Sequence, residues 1–188
     1  MRKIIIILVL VLTVGLSPAA AQIFKAEFTL SPYRPDDSLY KEVYGNGSFM
    51  FGVSLSLNLI WRIEFRAEAN YFRDKGAMTV SGEEVVFTFA PLFIGARIRI
   101  ITINKFIPYV GFGYAVYSPY REKLPERFGD VSASAKQGYH LETGVYVNLP
   151  RRFYLDMNIR KINLKAEPFG DTRQLGGFKG GIGFGLRF

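Results

Sequence analysis

Residues 48–61 read "SFMFGVSLSLNLIW", and residues 62–72 continue "RIEFRAEANYF". In the first stretch Phe49, Phe51, Val53, Leu55, Leu57, Leu59 and Trp61 alternate with Ser48, Met50, Gly52, Ser54, Ser56, Asn58 and Ile60. Strict alternation marks a strand, because successive side chains leave a strand on opposite faces. One face is apolar along its whole length, enough for a tilted strand to cross a bilayer core. In the second stretch Ile63, Phe65, Ala67, Ala69 and Tyr71 share a face, and Arg62, Glu64, Arg66, Glu68 and Asn70 share the other. A soluble barrel would turn the apolar side inward. A membrane barrel would turn it to lipid and close the charged side around a lumen. Alternation alone does not separate the two.

The pattern recurs along the chain, and eight strands account for it. "FKAEFTL" sets Phe24, Ala26, Phe28 and Leu30 against Lys25, Glu27 and Thr29. "PLFIGARIRI" places Arg97 and Arg99 opposite Ile94, Ile98 and Ile100. "IPYVGFGYAVY" sets Val110, Phe112, Tyr114 and Val116 against Tyr109, Gly111, Gly113, Ala115 and Tyr117. "GYHLETGVYVNL" places His140, Glu142 and Tyr146 on one face, and "FYLDMNIR" does so for Asp156 and Arg160. "GGIGFGLRF" sets Ile182, Phe184, Leu186 and Phe188 against Gly181, Gly183, Gly185 and Arg187. One segment breaks phase: Val85, Phe87 and Phe89 precede Pro91 on the parity of the polar face, and a bulge or bend at Pro91 could change face there. Connections near 31–47, 73–82, 118–136 and 163–175 are long and polar, and those near 60–62, 101–105 and 149–152 are short. Four long and three short connections suit an up-and-down barrel with both termini on the short-turn side.

The N-terminus has another logic. Arg2 and Lys3 precede an apolar run over residues 4–16, and Ala19 and Ala21 frame a small-x-small cleavage site before Gln22. This is the pattern of an export signal, residues 1–21, leaving residues 22–188 as one barrel domain. The apolar run is shorter than the roughly 20 residues a membrane helix needs. The chain has no cysteine, so disulfides, thiolate nucleophiles and cysteine metal sites are excluded. Its 188 residues are 49% hydrophobic and 15% aromatic, with a net charge of +8 of which Arg2 and Lys3 supply two. Export and the scattered placement of the basic residues argue against a nucleic-acid partner.

The glycines favour the membrane arrangement. Gly111, Gly113, Gly144, Gly181, Gly183 and Gly185 all lie on the polar face. Glycine on a solvated strand face weakens a sheet without gain. On the inner face of a narrow barrel it leaves room for Arg, Glu and Tyr from across the lumen. Trp61, Tyr71, Tyr139, Phe153 and Phe188, near the expected strand ends, suit interfacial aromatic girdles.

The ending "GIGFGLRF" resembles the C-terminal signal of bacterial outer-membrane barrels, and "IPYVGFGY" resembles a pattern of small barrels of the OmpW, OmpX and OmpA-membrane-domain type. "KEVYGNGSFMFG" is similar to the entry into the second strand of many members of the outer membrane protein beta-barrel domain group. The resemblance spans essentially the whole chain after the signal. It implies an all-β, eight-stranded antiparallel transmembrane barrel in the bacterial outer membrane. It also implies contact with outer-membrane lipid, and recognition of Gly181, Phe184, Leu186 and Phe188 by the barrel-assembly machinery. These families share a scaffold across different activities, so function must be argued from sites.

Arg62, Glu64, Arg66, Glu68, Arg97, Arg99, Glu142, Asp156, Arg160, Lys179 and Arg187 form the expected lumen charge set. An eight-stranded lumen is only just wide enough for side chains, so the set reads as a salt-bridged plug rather than an ion-selective pore. His140, the single histidine, lies two residues from Glu142 and invites a general-base reading. Lipid A deacylases on eight-stranded barrels use His-x-Ser with Glu, and Glu142 stands where that serine would be. No catalytic residue, metal set or cofactor is expected. Asp36-Asp37 and Glu83-Glu84 are carboxylate pairs expected in solvated loops. Three roles stay open: a structural or surface-interaction barrel, passage of small hydrophobic molecules as the likeness to OmpW implies, and a lipid-modifying enzyme.

Overall fold

The computed structural model describes residues 24–60, 62–78, 81–125, 129–134, 138–166 and 173–188. The expected export segment, residues 1–21 with Ala19 and Ala21, and the expected girdle residue Trp61 lie outside the described residues. In chain order the elements are β1 (Phe24–Pro35), the helix α1 (Ser38–Tyr44), β2 (Ser48–Ile60), β3 (Ile63–Ala77), β4 (Glu84–Phe89), β5 (Leu92–Arg99) and β6 (Phe106–Tyr117). There follow β7 (Pro119–Lys123), β8 (Val131–Ser134), β9 (Gly138–Asn148), β10 (Phe153–Asn163), the short β11 (Lys165–Ala166) and β12 (Arg173–Gln174), and β13 (Gly177–Arg187).

Eight of these strands close into an antiparallel barrel in the order β1, β2, β3, β5, β6, β9, β10, β13 and back to β1. Closure comes from β13 on β1, paired from Lys25↔Arg187 to Pro35↔Gly177. Every barrel strand thus has a partner on both sides, and the circuit has no sheet edge. The alternation sets the faces. Phe28, Leu30, Phe51, Val53, Phe65, Ile94, Phe112, Leu141, Ile182 and Phe184 point outward and are exposed, while Lys25, Glu27, Ser54, Glu64, Arg97, Glu142 and Asp156 point inward and are buried. Tyr71, Tyr139 and Phe153 are likewise on the outer surface. No helix among the described residues is long and apolar enough to cross a membrane.

Three details depart from the sequence reading. First, the stretches around 73–82 and 118–136 are not plain loops. β3 runs on to Ala77 and pairs with β4, β4 pairs with β7, and β7 pairs with β8, forming a four-stranded flap beyond the barrel. Second, nothing changes face at Pro91. Phe72↔Phe89, Ala69↔Leu92 and Ile63↔Ile98 lie in one continuous register along β3. The Pro91 carbonyl still accepts from Asn70 N at 3.0 Å, so the proline forfeits only its own missing donor. Val85, Phe87 and Phe89 therefore point inward like Arg97, but above the polar layer. Third, the face changes on the facing strand. Leu92 pairs with Tyr117 and Phe93 with Ala115, so Val116 is an extra residue in β6. Ala115 is buried below this bulge, and Ser118 and Tyr120 above it, so Tyr117 leaves the lumen face and is exposed outside.

The interior is layered. Near the short turns sit Ile107, Tyr109, Tyr146 and Tyr154. At the long-loop end a larger apolar cluster gathers Tyr33, Tyr40, Met50, Phe72, Phe87, Phe89 and Phe93 with Ile162, Leu164 and Leu175. Charged residues lie between. The short helix α1 completes the upper cluster: Asp37 caps it by accepting from Tyr40 N at 2.7 Å, and Tyr40 packs on Phe87 at 5.4 Å between ring centres. The Tyr40 hydroxyl donates to Asp74 and the Tyr44 hydroxyl to Glu122, and burial together with these carboxylates pushes both phenol pKa values up.

The lumen glycines can be tested by the space they leave. A Cβ on Gly185 would lie 2.2 Å from the Tyr154 ring, whereas on outward-facing Gly180 it would meet only the Asn158 carbonyl oxygen at 3.9 Å. Gly185→Ala should lower barrel stability by about 1–3 kcal/mol through overpacking, and Gly180→Ala should be close to neutral. Unfolding midpoints in detergent, read by heat-modifiable gel mobility, would compare the pair. Equal midpoints would contradict the packing argument.

Candidate functional site

The middle layer of the lumen holds ten acidic and basic residues, each buried: Lys25, Arg66, Arg97, Arg160 and Lys179 against Glu27, Glu64, Glu68, Glu142 and Asp156. Five cations face five carboxylates, so the layer is formally neutral. Charge burial of this kind is tolerable only when each group finds a partner.

Most partners come from strands that are not adjacent in the wall. Arg97 on β5 grips Glu142 on β9 with two parallel hydrogen bonds, Nε–Oε1 at 2.7 Å and Nη2–Oε2 at 3.0 Å. Its Nη1 also donates to Asp156 Oδ2 at 2.9 Å and to the Tyr146 hydroxyl at 2.6 Å. The Tyr146 hydroxyl in turn donates to Glu64 Oε1 at 2.7 Å, and Glu64 is paired with Lys25. In the other direction Glu142 also accepts from Arg160 at 2.8 Å, and Arg160 spans to Glu68 at 2.7 Å. β3 and β10 stand diametrically opposite in the circuit, so Arg160–Glu68 is a strut across the barrel. Glu68 further collects Lys179 and Arg66, and Arg66 reaches Glu27 at 2.6 Å. All ten charges thereby join one hydrogen-bonded chain from Lys25 to Glu27. Tyr109 donates to Asp156 at 2.7 Å, and its ring lies 4.4 Å beneath the Arg97 guanidinium, adding a cation–π contact.

The expected charge set lands unevenly. Glu64, Arg66, Glu68, Arg97, Glu142, Asp156, Arg160 and Lys179 come together in this layer. Arg99 and Arg187 sit half-buried at the short-turn end, with Arg187 stacked 5.1 Å from the Tyr154 ring and donating to Asn148. Arg62 is a correction: it lies in the turn after β2, exposed, and donates to the Ile100 carbonyl at 2.6 Å. The turn consumes the residue that strict alternation had placed in the lumen. Lys25, Glu27, Tyr109 and Tyr146 belong to the network as much as the expected residues, and their polar-face parity was the signal for them. His140 is enclosed but does not pair with Glu142, whose oxygens are taken by Arg97 and Arg160; its ring instead meets Phe93 edge-on at 5.0 Å. Asp36 pairs with Lys161 and Glu84, the first residue of β4, with Lys75, both pairs solvent-exposed, while Asp37 caps α1. Among the described residues no group of His, Cys, Asp or Glu is arranged to hold a metal ion.

Arg97→Met should leave Glu142 underneutralised and Asp156 without its cation. Breaking a buried network from one side costs about 3–5 kcal/mol, so its midpoint in urea should fall well below that of an exposed control, Arg62→Met. Matching midpoints would show that the network carries little stability.

No functionally curated protein matches the chain in sequence. Solved structures do match in shape. Neisserial surface protein A is 15% identical over 88% of this chain and 97% of its own, with a TM-score of 0.68. OprG from Pseudomonas aeruginosa is 14% identical over 89% and 96%, with a TM-score of 0.64. Ail, the attachment invasion locus protein of Yersinia pestis, is 16% identical over 89% and 97%, with a TM-score of 0.54. At these identities the likeness is one of fold. The family profile for the outer membrane protein beta-barrel domain covers residues 6–188. A closed eight-stranded barrel with an apolar exterior, matched along nearly its whole length by this profile, belongs to the outer membrane protein beta-barrel domain family and resides in the bacterial outer membrane.

Proposed function

We propose that this protein is a non-enzymatic structural or surface-interaction barrel, closed to solutes and acting through the face it presents outside the cell. The observation that carries this reading is the single hydrogen-bonded chain of charges across the lumen. Ten paired charges occupy the middle of the barrel, and an aromatic cluster that includes Tyr40 of α1 lies above them. Outer-membrane barrels place long loops outside and short turns in the periplasm, so α1, the β3–β4–β7–β8 flap and the β11–β12 hairpin form the extracellular end. Neisserial surface protein A and the attachment invasion locus protein share this scaffold, but the reading rests on the interior rather than on them.

The two other roles fare less well. Passage of small hydrophobic molecules would require an opening in the lumen or the wall, and the ladder is paired around the full circuit. Lipid chemistry at His140 would require access from the bilayer, and His140 is only 3% exposed and faces inward. Purified protein in planar bilayers should show no discrete conductance steps. Steady, reproducible channel openings from the folded form would overturn the closed-barrel reading.

Assembly is a second proposal. Phe184 and Leu186 of β13 lie on its outer face, and the Phe188 amide donates to the Phe24 carbonyl at 2.9 Å, where the last strand meets the first. The barrel-assembly machinery would read these side chains while β13 awaits closure, with Gly181 beside them on the inner face. Phe188→Ser should lower the inserted, heat-modifiable fraction in the outer membrane while leaving export to the periplasm intact. Wild-type insertion of that variant would count against the assembly role.

A further inference from the structure

β3 carries one unbroken outward series, Phe65, Ala67, Ala69, Tyr71, Arg73 and Lys75, that runs from the lipid belt into the extracellular flap. Low on this face the large side chains give way. Ala67 and Ala69, with Ala26 on β1, leave an apolar hollow of about 590 Å3 walled by Val53 and Leu92. Two residues further along the strand, roughly 7 Å, a second hollow of about 260 Å3 opens between Tyr71, Arg73, Thr88, Arg121 and Lys123. The ladder builds its floor: Arg73 pairs with Thr88 and Thr88 with Arg121, which sets a guanidinium, a hydroxyl and a guanidinium in one row, with Lys123 one row above beside Val86. Arg121 is paired with Asp130, but Arg73 and Lys123 make no ion pair among the described residues.

We propose that this strip is a binding site for a phosphorylated, acylated lipid of the outer leaflet. The acyl chain lies over Ala67 and Ala69, and the phosphate sits among Arg73, Thr88 and Lys123. The two hollows make the case together. An apolar hollow in the belt is filled by hydrocarbon of any kind, and a cationic hollow alone would accept any anion. Stacked on one strand with Tyr71 at the boundary, they match a ligand with a chain below and a phosphate above. A sulfated polysaccharide would use the upper hollow only. Guanidinium and ammonium groups suit phosphate oxygens through charge-assisted hydrogen bonds.

The test uses the full chain in detergent, with lipid A, phosphatase-treated lipid A and heparin as probes, bound states being counted by native mass spectrometry. Lipid A should bind wild type, and the dephosphorylated form should bind about tenfold more weakly, the scale of one lost charge-assisted hydrogen bond. Arg73→Ser with Lys123→Ser should produce a similar loss, and Ala69→Phe should weaken lipid A by filling the lower hollow without changing heparin binding. Arg151→Ser, in a short turn at the other end, serves as the neutral control. If a variant fails to fold, the comparison of the two lipid A forms on wild type still decides. Equal affinity for the two forms would overturn the proposal. So would undiminished lipid A binding by the folded double variant, or heparin displacing lipid A with Ala69→Phe indifferent.

Discussion

Arg97 holds Glu142 bidentately and Asp156 through a third hydrogen bond, and the interior is arranged around that junction. The reason lies outside the barrel. Lipid tails are as apolar as Phe28, Val53 or Ile182, so turning those side chains to the membrane gives little packing between strands. Stability must then come from the closed ladder and from what fills the lumen. Charges can fill it only if none is left alone, since an unpaired buried ion costs several kcal/mol. Equal numbers of cations and carboxylates, joined through Tyr146 and through the shared acceptors Glu142 and Glu68, meet that condition.

Long charged side chains need space as well as partners, and the neighbouring strand supplies it. Gly111 pairs with Glu142, Gly113 with His140, Gly144 with Tyr109 and Gly185 with Tyr154. In each pair a Cβ on the glycine would fall within 2.8 Å of its partner's side chain. These glycines are therefore selected by volume rather than by backbone freedom. Each of these four lumen residues lies beside a strand position that has given up its own side chain. β2 does the same more gently, with Ser54 and Ser56 beneath the Glu27–Arg66 pair of its neighbours and Gly52 between Thr29 and Asn70.

This trade explains what could be read from the sequence. Parity along 48–56 and 63–71 assigned inside and outside correctly, because a two-residue period survives whatever the surroundings. Glycine on the polar parity pointed to the lumen, because no other face of such a barrel needs small residues. The misreadings share one cause: parity locates a side chain within a strand but not where strands end or slip. Arg62 was lost to a turn, and Tyr117 to a bulge whose extra residue, Val116, has no mark in composition. The flap was hidden because β3 and β4 become polar outside once they leave lipid, as at Arg73, Lys75 and Glu84. Which carboxylate meets which cation depends on strands far apart in sequence that face each other across the lumen, as with Glu68 and Arg160, and no local pattern encodes that.

Val85, Phe87 and Phe89 show how the same parity carries opposite chemistry along one axis. In the membrane the inner face is polar and the outer apolar. Beyond it water lies outside, so the inner face of the flap must supply an ordinary hydrophobic core, and Phe72, Phe87 and Phe89 do so with Tyr33 and Tyr40. The inversion falls within β3, between inward Asn70 and inward Phe72, and the outer face inverts at the same level, between Ala69 and Arg73. Both faces of one strand thus register the membrane surface independently. With the inner face committed to holding the barrel together, that level of the outer face is where a side chain is freest to meet another molecule.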